Sequence, residues 1–160
     1  MSTIRVVWGS ATAPTKMSSY DAALADAGIE NYNLVTVSSV IPADAYVEAV
    51  GTAPDLGPIG NRLTVVEARA TVAGEGPASA ALAWATTDGG DGPGLFYETS
   101  GETGPETVRR KVREGLEAGQ SLREWNFDEP GVKTETVDGE PDQYSTAVVL
   151  AAYGQSEPIC

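Results

Sequence analysis

The amino-acid sequence predicts an α+β fold with a largely antiparallel sheet, and three observations carry that prediction. Strand-like segments outnumber helical ones, the two helical segments lie far apart in the chain, and Gly-Pro or Asp-Gly pairs mark turns. Strands that alternated regularly with helices would instead predict a doubly wound parallel sheet. The 160 residues fit one domain, because no internal repeat or shift in composition marks a second.

Runs rich in β-branched residues or alanine define the predicted strands. The run IRVV at residues 4–7 is the first, and residues 9–15 follow as a loop because they contain Gly9 and Pro14. Further strands are predicted at residues 34–37, 46–50, 62–72, 78–87, 95–99, 132–137 and 145–153. In the alanine-rich segment 78–87 periodicity does not separate strand from helix, and the Gly-Pro turn before it favours a strand.

The connections carry turn chemistry. Residues 53–61 and 88–94 are rich in Gly, Pro and Asp and are predicted as loops. A turn is also predicted at Asp138-Gly139, between the last two strands.

The first predicted helix covers residues 20–27. Ser18 or Ser19 is suited to cap it, because a serine side chain accepts a hydrogen bond from the free amides of the first turn. Gly28 is well placed to end it.

The second predicted helix covers residues 103–122 and is the clearest element in the sequence. Pro105 suits its first turn. Its apolar residues recur at four-residue spacing on one face: Val108, Val112 and Leu116. Gly115 and Gly119 weaken the pattern, so the helix is expected to end or bend there.

The composition excludes several kinds of site. The chain has no His and a single Cys, Cys160, which removes the Ser–His–Asp triad, the Cys–His dyad and the common zinc and disulfide motifs. The net charge of −13 argues against nucleic acid and anionic membranes as partners. Scarce lysine and abundant acidic and small residues indicate a protein from a high-salt cytoplasm, where salt screens self-repulsion.

Neither a membrane span nor a secretory signal is predicted. No apolar run reaches 18 residues, and residues 1–8 lack a long apolar core. The expected location is therefore the cytoplasm.

The segment that indicates a reactive site is the serine pair Ser38-Ser39. The pair lies at the end of the β-branched run 34–37, and Pro42 follows shortly after. A serine pair at a strand end also occurs in ordinary turns, where the hydroxyls bond to the local backbone. The pair alone therefore leaves both interpretations open.

The serine pair belongs to a longer pattern: YDAALADAGIENYNL at residues 20–34 and VSSVIP at residues 37–42, followed by GLFYE at residues 94–98 and by Trp125. This pattern resembles the pyruvoyl-dependent arginine decarboxylases; the first two runs are specific, and the others support them. It implies an αββα sandwich with largely antiparallel sheets, assembled as a homotrimer with its sites at subunit interfaces.

The resemblance also implies a proenzyme cut between Ser38 and Ser39 into a beta chain, residues 1–38, and an alpha chain, residues 39–160. Attack of the Ser39 hydroxyl on the Ser38 carbonyl gives an ester. Elimination then leaves dehydroalanine at position 39, and hydrolysis of its imine tautomer releases ammonia and leaves a pyruvoyl group. This self-derived cofactor, with neither a metal ion nor pyridoxal phosphate, would form a Schiff base with L-arginine and release CO₂ and agmatine.

Three further residues match functional positions of the family. Glu98 matches the acid that protonates the substrate Cα, with Leu95 and Phe96 expected to supply apolar surroundings; otherwise it is a surface carboxylate. Asn33 matches the amide near the pyruvoyl group, and its alternative role is a cap between helix and strand. Asp21 matches the acid that holds the guanidinium, and otherwise it complements the helix dipole.

Three other hypotheses stay open at this point. The same chemistry can act on another amino acid, such as lysine, ornithine or histidine. The chain can also be an unprocessed, non-catalytic homologue that serves as an assembly or regulatory subunit. A hydrolytic serine enzyme is least favoured, because the sequence offers no base beside either serine.

Overall fold

The computed structural model describes residues 2–160. In chain order the strands are β1 (Ser2–Ala13), β2 (Asn33–Thr36), β3 (Val40–Ile41), β4 (Ala45–Gly51), β5 (Arg62–Ala73), β6 (Gly76–Thr87), β7 (Gly92–Gly101), β8 (Gly131–Gly139) and β9 (Tyr144–Tyr153). The helices are α1 (Lys16–Asp26) and α2 (Pro105–Gln120), and a short 3-10 turn occupies Asp88–Gly90.

The strands form two sheets that face each other. One has five strands in the order β2-β5-β9-β1-β4, and the other has four in the order β3-β7-β6-β8. Only the pairs β1–β4 and β2–β5 are parallel among the described strands. Helix α1 packs on the outside of the first sheet and α2 on the outside of the second. The predicted α+β fold, with an αββα layer order, is confirmed.

Strand β6 is buried on both faces, and this explains its ambiguous sequence. Ala80 and Leu82 pack between the two sheets, whereas Ala81 and Ala83 pack beneath α2. A strand covered on both faces needs no alternation of polar and apolar residues. The prediction of a strand over residues 78–87 is confirmed.

Helix α2 presents the predicted face to β6 and β7. Val108, Val112 and Leu116 are buried there. The helix continues through Gly115 and ends at Gln120, one residue after Gly119, so the expected end holds for Gly119 and not for Gly115. Both glycines have a packing role, because a Cβ at Gly119 would collide with the ring of Tyr97 and a Cβ at Gly115 would lie only 3.0 Å from it.

The N-terminal region differs from the prediction. β1 continues to Ala13, through the residues expected to form a loop, because it pairs with β9 along most of its length. Gly9 belongs to this strand and lets α1 approach closely, since a Cβ there would meet the backbone of Ala27 at 2.9 Å. The helix begins earlier than predicted, and its cap is Thr15, whose side chain accepts from the amide of Ser18.

Smaller differences concern turns. β8 runs through Asp138-Gly139, so the turn lies a few residues later than predicted, at residues 140–143. β3 is only two residues long and gives no periodic signal that the sequence analysis could detect. Gly28 takes a positive φ of 80° just after α1, as expected of a residue that ends a helix.

Within residues 2–160, no helix combines the length and apolar character needed to cross a membrane.

Candidate active site

The serine pair lies where the chain crosses from one sheet to the other. β2 is the edge strand of the five-stranded sheet, and β3 is the edge strand of the four-stranded sheet. Residues 37–39 connect them. On one side of the pair, the amide of Val37 donates to the carbonyl of Val65 at 3.0 Å; on the other, Val40 pairs with Leu95. The serine pair therefore lies in a short connection that is bound to one sheet just before the pair and to the other sheet just after it.

Ser39 is held by contacts to β7. Its Oγ donates to Oε2 of Glu98 at 3.3 Å, and its carbonyl accepts from the amide of Phe96 at 2.8 Å. The carbonyl of Ser38 accepts from the amide of Val40 at 3.1 Å. The structure thus brings together Ser38, Ser39 and Glu98, which the sequence analysis had singled out separately.

Tyr153 fixes the chain on the C-terminal side of the pair. Its hydroxyl donates to the carbonyl of Val40 at 3.0 Å, and its ring packs edge-on against Phe96 at a centroid distance of 6.1 Å. Burial raises the pKa of Tyr153 to about 12, so the hydroxyl keeps its proton to a higher pH than an exposed tyrosine does. Tyr153 ends the predicted strand 145–153, and no sequence motif indicates its contact with Val40.

A cavity of about 420 Å³ opens beside the pair. It is lined by Ser38, Ser39, Val40, Leu95, Tyr97, Glu98 and Arg123. Arg123 was not predicted as a site residue, because it lies in the irregular segment after α2 and belongs to none of the motifs. It is the cation among the lining residues.

The surroundings of Glu98 differ from those expected. Side chains alternate along β7, so Leu95 faces α2 while Phe96 enters the core between the sheets. Glu98 lies beyond both, toward the strand end, and is exposed in the single chain. In one chain taken alone, Leu95 lines the same cavity as Glu98 but Phe96 does not, so the expected apolar enclosure of Glu98 is only partly formed.

Asp21 and Asn33 line a different cavity, of about 550 Å³, between α1 and β2. The side chain of Asn33 donates from Nδ2 to the carbonyl of Gly60 at 2.8 Å and makes no hydrogen bond to Ser38. Asp21 is exposed and lies beyond the first turn of α1, which contains no acidic residue. The alternative role for Asp21, complementing the helix dipole, is therefore wrong.

Tyr20, next to Asp21, ties this part of α1 to β5. Its hydroxyl donates to Oε2 of Glu67 at 2.6 Å, and Cζ of Arg69 lies 4.5 Å from the centre of its ring. Burial and the adjacent Glu67 carboxylate raise the pKa of Tyr20 well above its usual value. The backbone that carries Asp21 is thus anchored, while the Asp21 carboxylate remains available to a ligand.

These features define an αββα sandwich protein with a serine and a carboxylate in contact at an edge crossover. Within residues 2–160, no group of three or more acidic or Cys side chains is arranged to hold a metal ion. The residue suited to carry a cofactor is Ser39 itself, because it lines the cavity and its backbone is held on β7.

Comparisons with known proteins identify the family. Residues 3–158 match the family described as pyruvoyl-dependent arginine decarboxylase, so the chain belongs to that family. A protein of that name from Halobacterium salinarum is 58% identical over 159 residues, which cover 99% of this chain and 98% of the relative.

More distant relatives carry the same name. The protein from Thermococcus sibiricus is 37% identical over 90% of this chain and 91% of its own length. The protein from Methanopyrus kandleri is 33% identical over 92% of this chain and 91% of its own length. The halophilic origin of the Halobacterium relative agrees with the high-salt interpretation of the acidic composition.

Proposed function

We propose that the chain decarboxylates L-arginine to agmatine and CO₂, using a pyruvoyl group that it makes from its own Ser39. The main support for this proposal is that nearly the whole chain matches the family. The contact between Ser39 and Glu98 supports it, because it places the source of the ketone beside a carboxyl group that can exchange protons.

The geometry of the pair suits self-cleavage. Ser39 Oγ attacks the carbonyl carbon of Ser38, an ester replaces the amide, and the hydroxyl proton moves to the departing nitrogen. Glu98 orients the hydroxyl by accepting its hydrogen bond. The amide of Val40 already donates to the Ser38 carbonyl oxygen, where negative charge develops during the attack. The residues present therefore fit the formation of a pyruvoyl group at position 39.

Cleavage at this point would leave the fold intact. The proposed products are residues 1–38 and 39–160, and the shorter one contains β1, α1 and β2. β1 lies between β9 and β4 in the five-stranded sheet, and β2 pairs with β5. These hydrogen bonds would hold the shorter chain in place after the backbone is cut.

In the mature enzyme the pyruvoyl ketone would supply the sink for the electron pair left by the departing CO₂. Glu98 would then donate a proton to the substrate Cα, Asp21 would bind the guanidinium through paired hydrogen bonds, and Asn33 would orient groups near position 39.

The separation of the two cavities supports a site shared between copies of the chain. Within one chain, Asp21 and Asn33 line one cavity while Ser39 and Glu98 line the other. Apolar side chains near the serine pair are exposed in the single chain: Val35, Val37, Val40, Leu122 and Trp125. A homotrimer would cover this exposed apolar surface. It would also bring the cavity of Asp21 and Asn33 in one copy next to the cavity of Ser39 and Glu98 in a neighbouring copy.

The direct test is decarboxylation of a panel of amino acids by the purified protein in high salt. Release of CO₂ from arginine well above that from lysine, ornithine and histidine is expected. Preference for another amino acid would overturn the assignment of arginine. Absence of CO₂ from all four, together with an intact chain, would instead favour a non-catalytic subunit.

A further inference from the structure

The cavity beside the serine pair contains an arginine for which the proposed function has no role. Arg123 donates from Nη1 to the carbonyl of Gly119, at the C-terminal end of α2, at a distance of 2.8 Å. Its guanidinium carbon lies 5.4 Å from the centre of the Trp125 ring. These two contacts hold a positive charge at the cavity wall.

No acidic side chain within residues 2–160 forms an ion pair with Arg123. The ion pairs in that part of the chain join Arg62 to Glu157 and Arg110 to Glu114. A guanidinium offers five N–H donors, and the Gly119 carbonyl uses one of them. The side chain therefore has donors left for an anion in the cavity.

Self-cleavage would create an anion in that cavity. Ser38 lines it together with Arg123, and the cut turns the Ser38 carbonyl into a C-terminal carboxylate. Glu98 lines the same cavity, so a second carboxylate would meet like-charge repulsion unless a cation offset it. Guanidinium and carboxylate also match in geometry, since two parallel N–H groups can bind the two oxygens.

We propose that Arg123 binds the Ser38 carboxylate as it forms and retains it in the mature enzyme, an inference that rests on the proposed function. In the elimination step a base removes the Cα proton of residue 39 and the bond between Cβ and the ester oxygen breaks. The electron pair of that bond leaves with Ser38 as a carboxylate, and residue 39 becomes dehydroalanine. Arg123 stabilises the negative charge that develops on this leaving group.

A substrate carboxylate is the other possible source of the anion. It is less favoured, because a guanidinium bound to that group would stabilise the ground state more than the transition state in which CO₂ departs. The two sources predict different defects when the charge is removed. Loss of the Ser38 contact slows maturation, whereas loss of a substrate contact raises KM in an enzyme that matures normally.

The test compares maturation of Arg123→Gln, Arg123→Lys and the wild-type chain by intact mass spectrometry over time, in high salt. Hydroxylamine added to the folded protein cuts an ester, leaving a hydroxamate on Ser38 and an unmodified Ser39 at the start of residues 39–160. A mature chain gives an oxime at position 39 instead. The matched control is Arg109→Gln, which removes the same charge from an exposed position outside the cavity.

In Arg123→Gln we expect the ester to accumulate and elimination to slow by about tenfold to a hundredfold, the range for losing a charge-assisted hydrogen bond. Arg123→Lys should recover part of the rate, and Arg109→Gln should mature like the wild type. Maturation of Arg123→Gln at the wild-type rate would overturn the inference and leave the proposed function standing. So would arrest without a hydroxylamine-sensitive ester, or normal maturation with a raised KM. If the wild-type chain stays intact, the proposed function and the inference fail together.

Discussion

Ser39 and Glu98 lie 59 positions apart in the sequence, yet the hydroxyl of Ser39 donates a hydrogen bond of 3.3 Å to the Glu98 carboxylate. The contact forms because β3, just after the serine pair, joins the edge of the sheet that contains β7. The proposed function gives this one carboxyl group two tasks: orienting the Ser39 hydroxyl for self-cleavage and transferring a proton after decarboxylation.

Substituting Glu98 should separate these two steps. Glu98→Gln keeps an oxygen that can accept the Ser39 hydrogen bond but has no acidic proton to donate. We expect the variant to cleave itself and to lose about a hundredfold or more in kcat for arginine, within the range for losing a general acid. Glu102→Gln, an exposed carboxylate just beyond the end of β7, is the matched control and should keep full activity. Full activity in Glu98→Gln would remove Glu98 from the role of proton donor.

Removing the Tyr153 hydroxyl should slow maturation with little loss of stability. Tyr153→Phe keeps the ring against Phe96 and deletes only the hydrogen bond to the Val40 carbonyl. The free energy of unfolding should fall by about 1 kcal/mol, and self-cleavage should slow by about five- to tenfold because the segment after Ser39 is less constrained. A time course of chain cleavage, with thermal unfolding in parallel, measures both. An unchanged cleavage rate would show that this hydrogen bond does not position the serine pair.

Sharing of a site between copies can be tested by complementation. Ser39→Ala lacks the source of the pyruvoyl group and should remain one chain, whereas Asp21→Asn should mature but bind arginine poorly. Co-expressed in equal amounts, the two variants should regain roughly a quarter of wild-type activity, because random mixing creates that fraction of complete interfaces. The control is co-expression of Asp21→Asn with Asp21→Ala. No copy then has Asp21, so activity should not recover. Verified mixed oligomers that remain inactive would place both side chains in a site within one chain.

Two tyrosines should make the protein less stable in alkali. The pKa of Tyr153 is raised to about 12 from its ordinary value of 10.0, and that of Tyr20 is raised further. The folded state therefore holds protons that the unfolded chain loses above pH 10, and the free energy of unfolding should fall as pH rises from about 10 to 12. Denaturant unfolding at several pH values in high salt measures this slope.

Substitution identifies the tyrosines responsible for the slope. Tyr20→Phe and Tyr153→Phe should each flatten it, while Tyr46→Phe, at a position 54% exposed, should leave it unchanged. A slope that none of these variants alters would contradict the assignment of the pH dependence to Tyr20 and Tyr153.

Much of the fold was predictable because its signals are local. The α2 face of Val108, Val112 and Leu116 and the turns that flank the strands follow from spacing and residue type. The extension of β1 to Ala13 was not predictable, because pairing with β9 overrides the local preference of Gly9 for a loop. The role of Gly119 was hidden for a similar reason, since it depends on Tyr97 packing from another element.

The residues of the candidate site likewise include some that the sequence predicts and some that it does not. Ser38, Ser39, Glu98, Asn33 and Asp21 were all identified from the resemblance of their motifs to the family. Tyr153 was not, because its contact to Val40 forms only when distant strands are brought together. Arg123 was not, because its hydrogen bond to Gly119 is local but its place in the cavity beside Ser38 depends on the fold. The exposure of Glu98 could not be predicted either, since it depends on where β7 ends relative to the core.

The most direct test of the central claim is intact mass spectrometry of the purified protein in high salt, with and without phenylhydrazine. We expect two chains, residues 1–38 and residues 39–160, with a hydrazone on the larger one, and a single unreactive chain for Ser39→Ala. A wild-type protein that remains one chain at full mass and does not react would contradict the formation of a pyruvoyl group from Ser39.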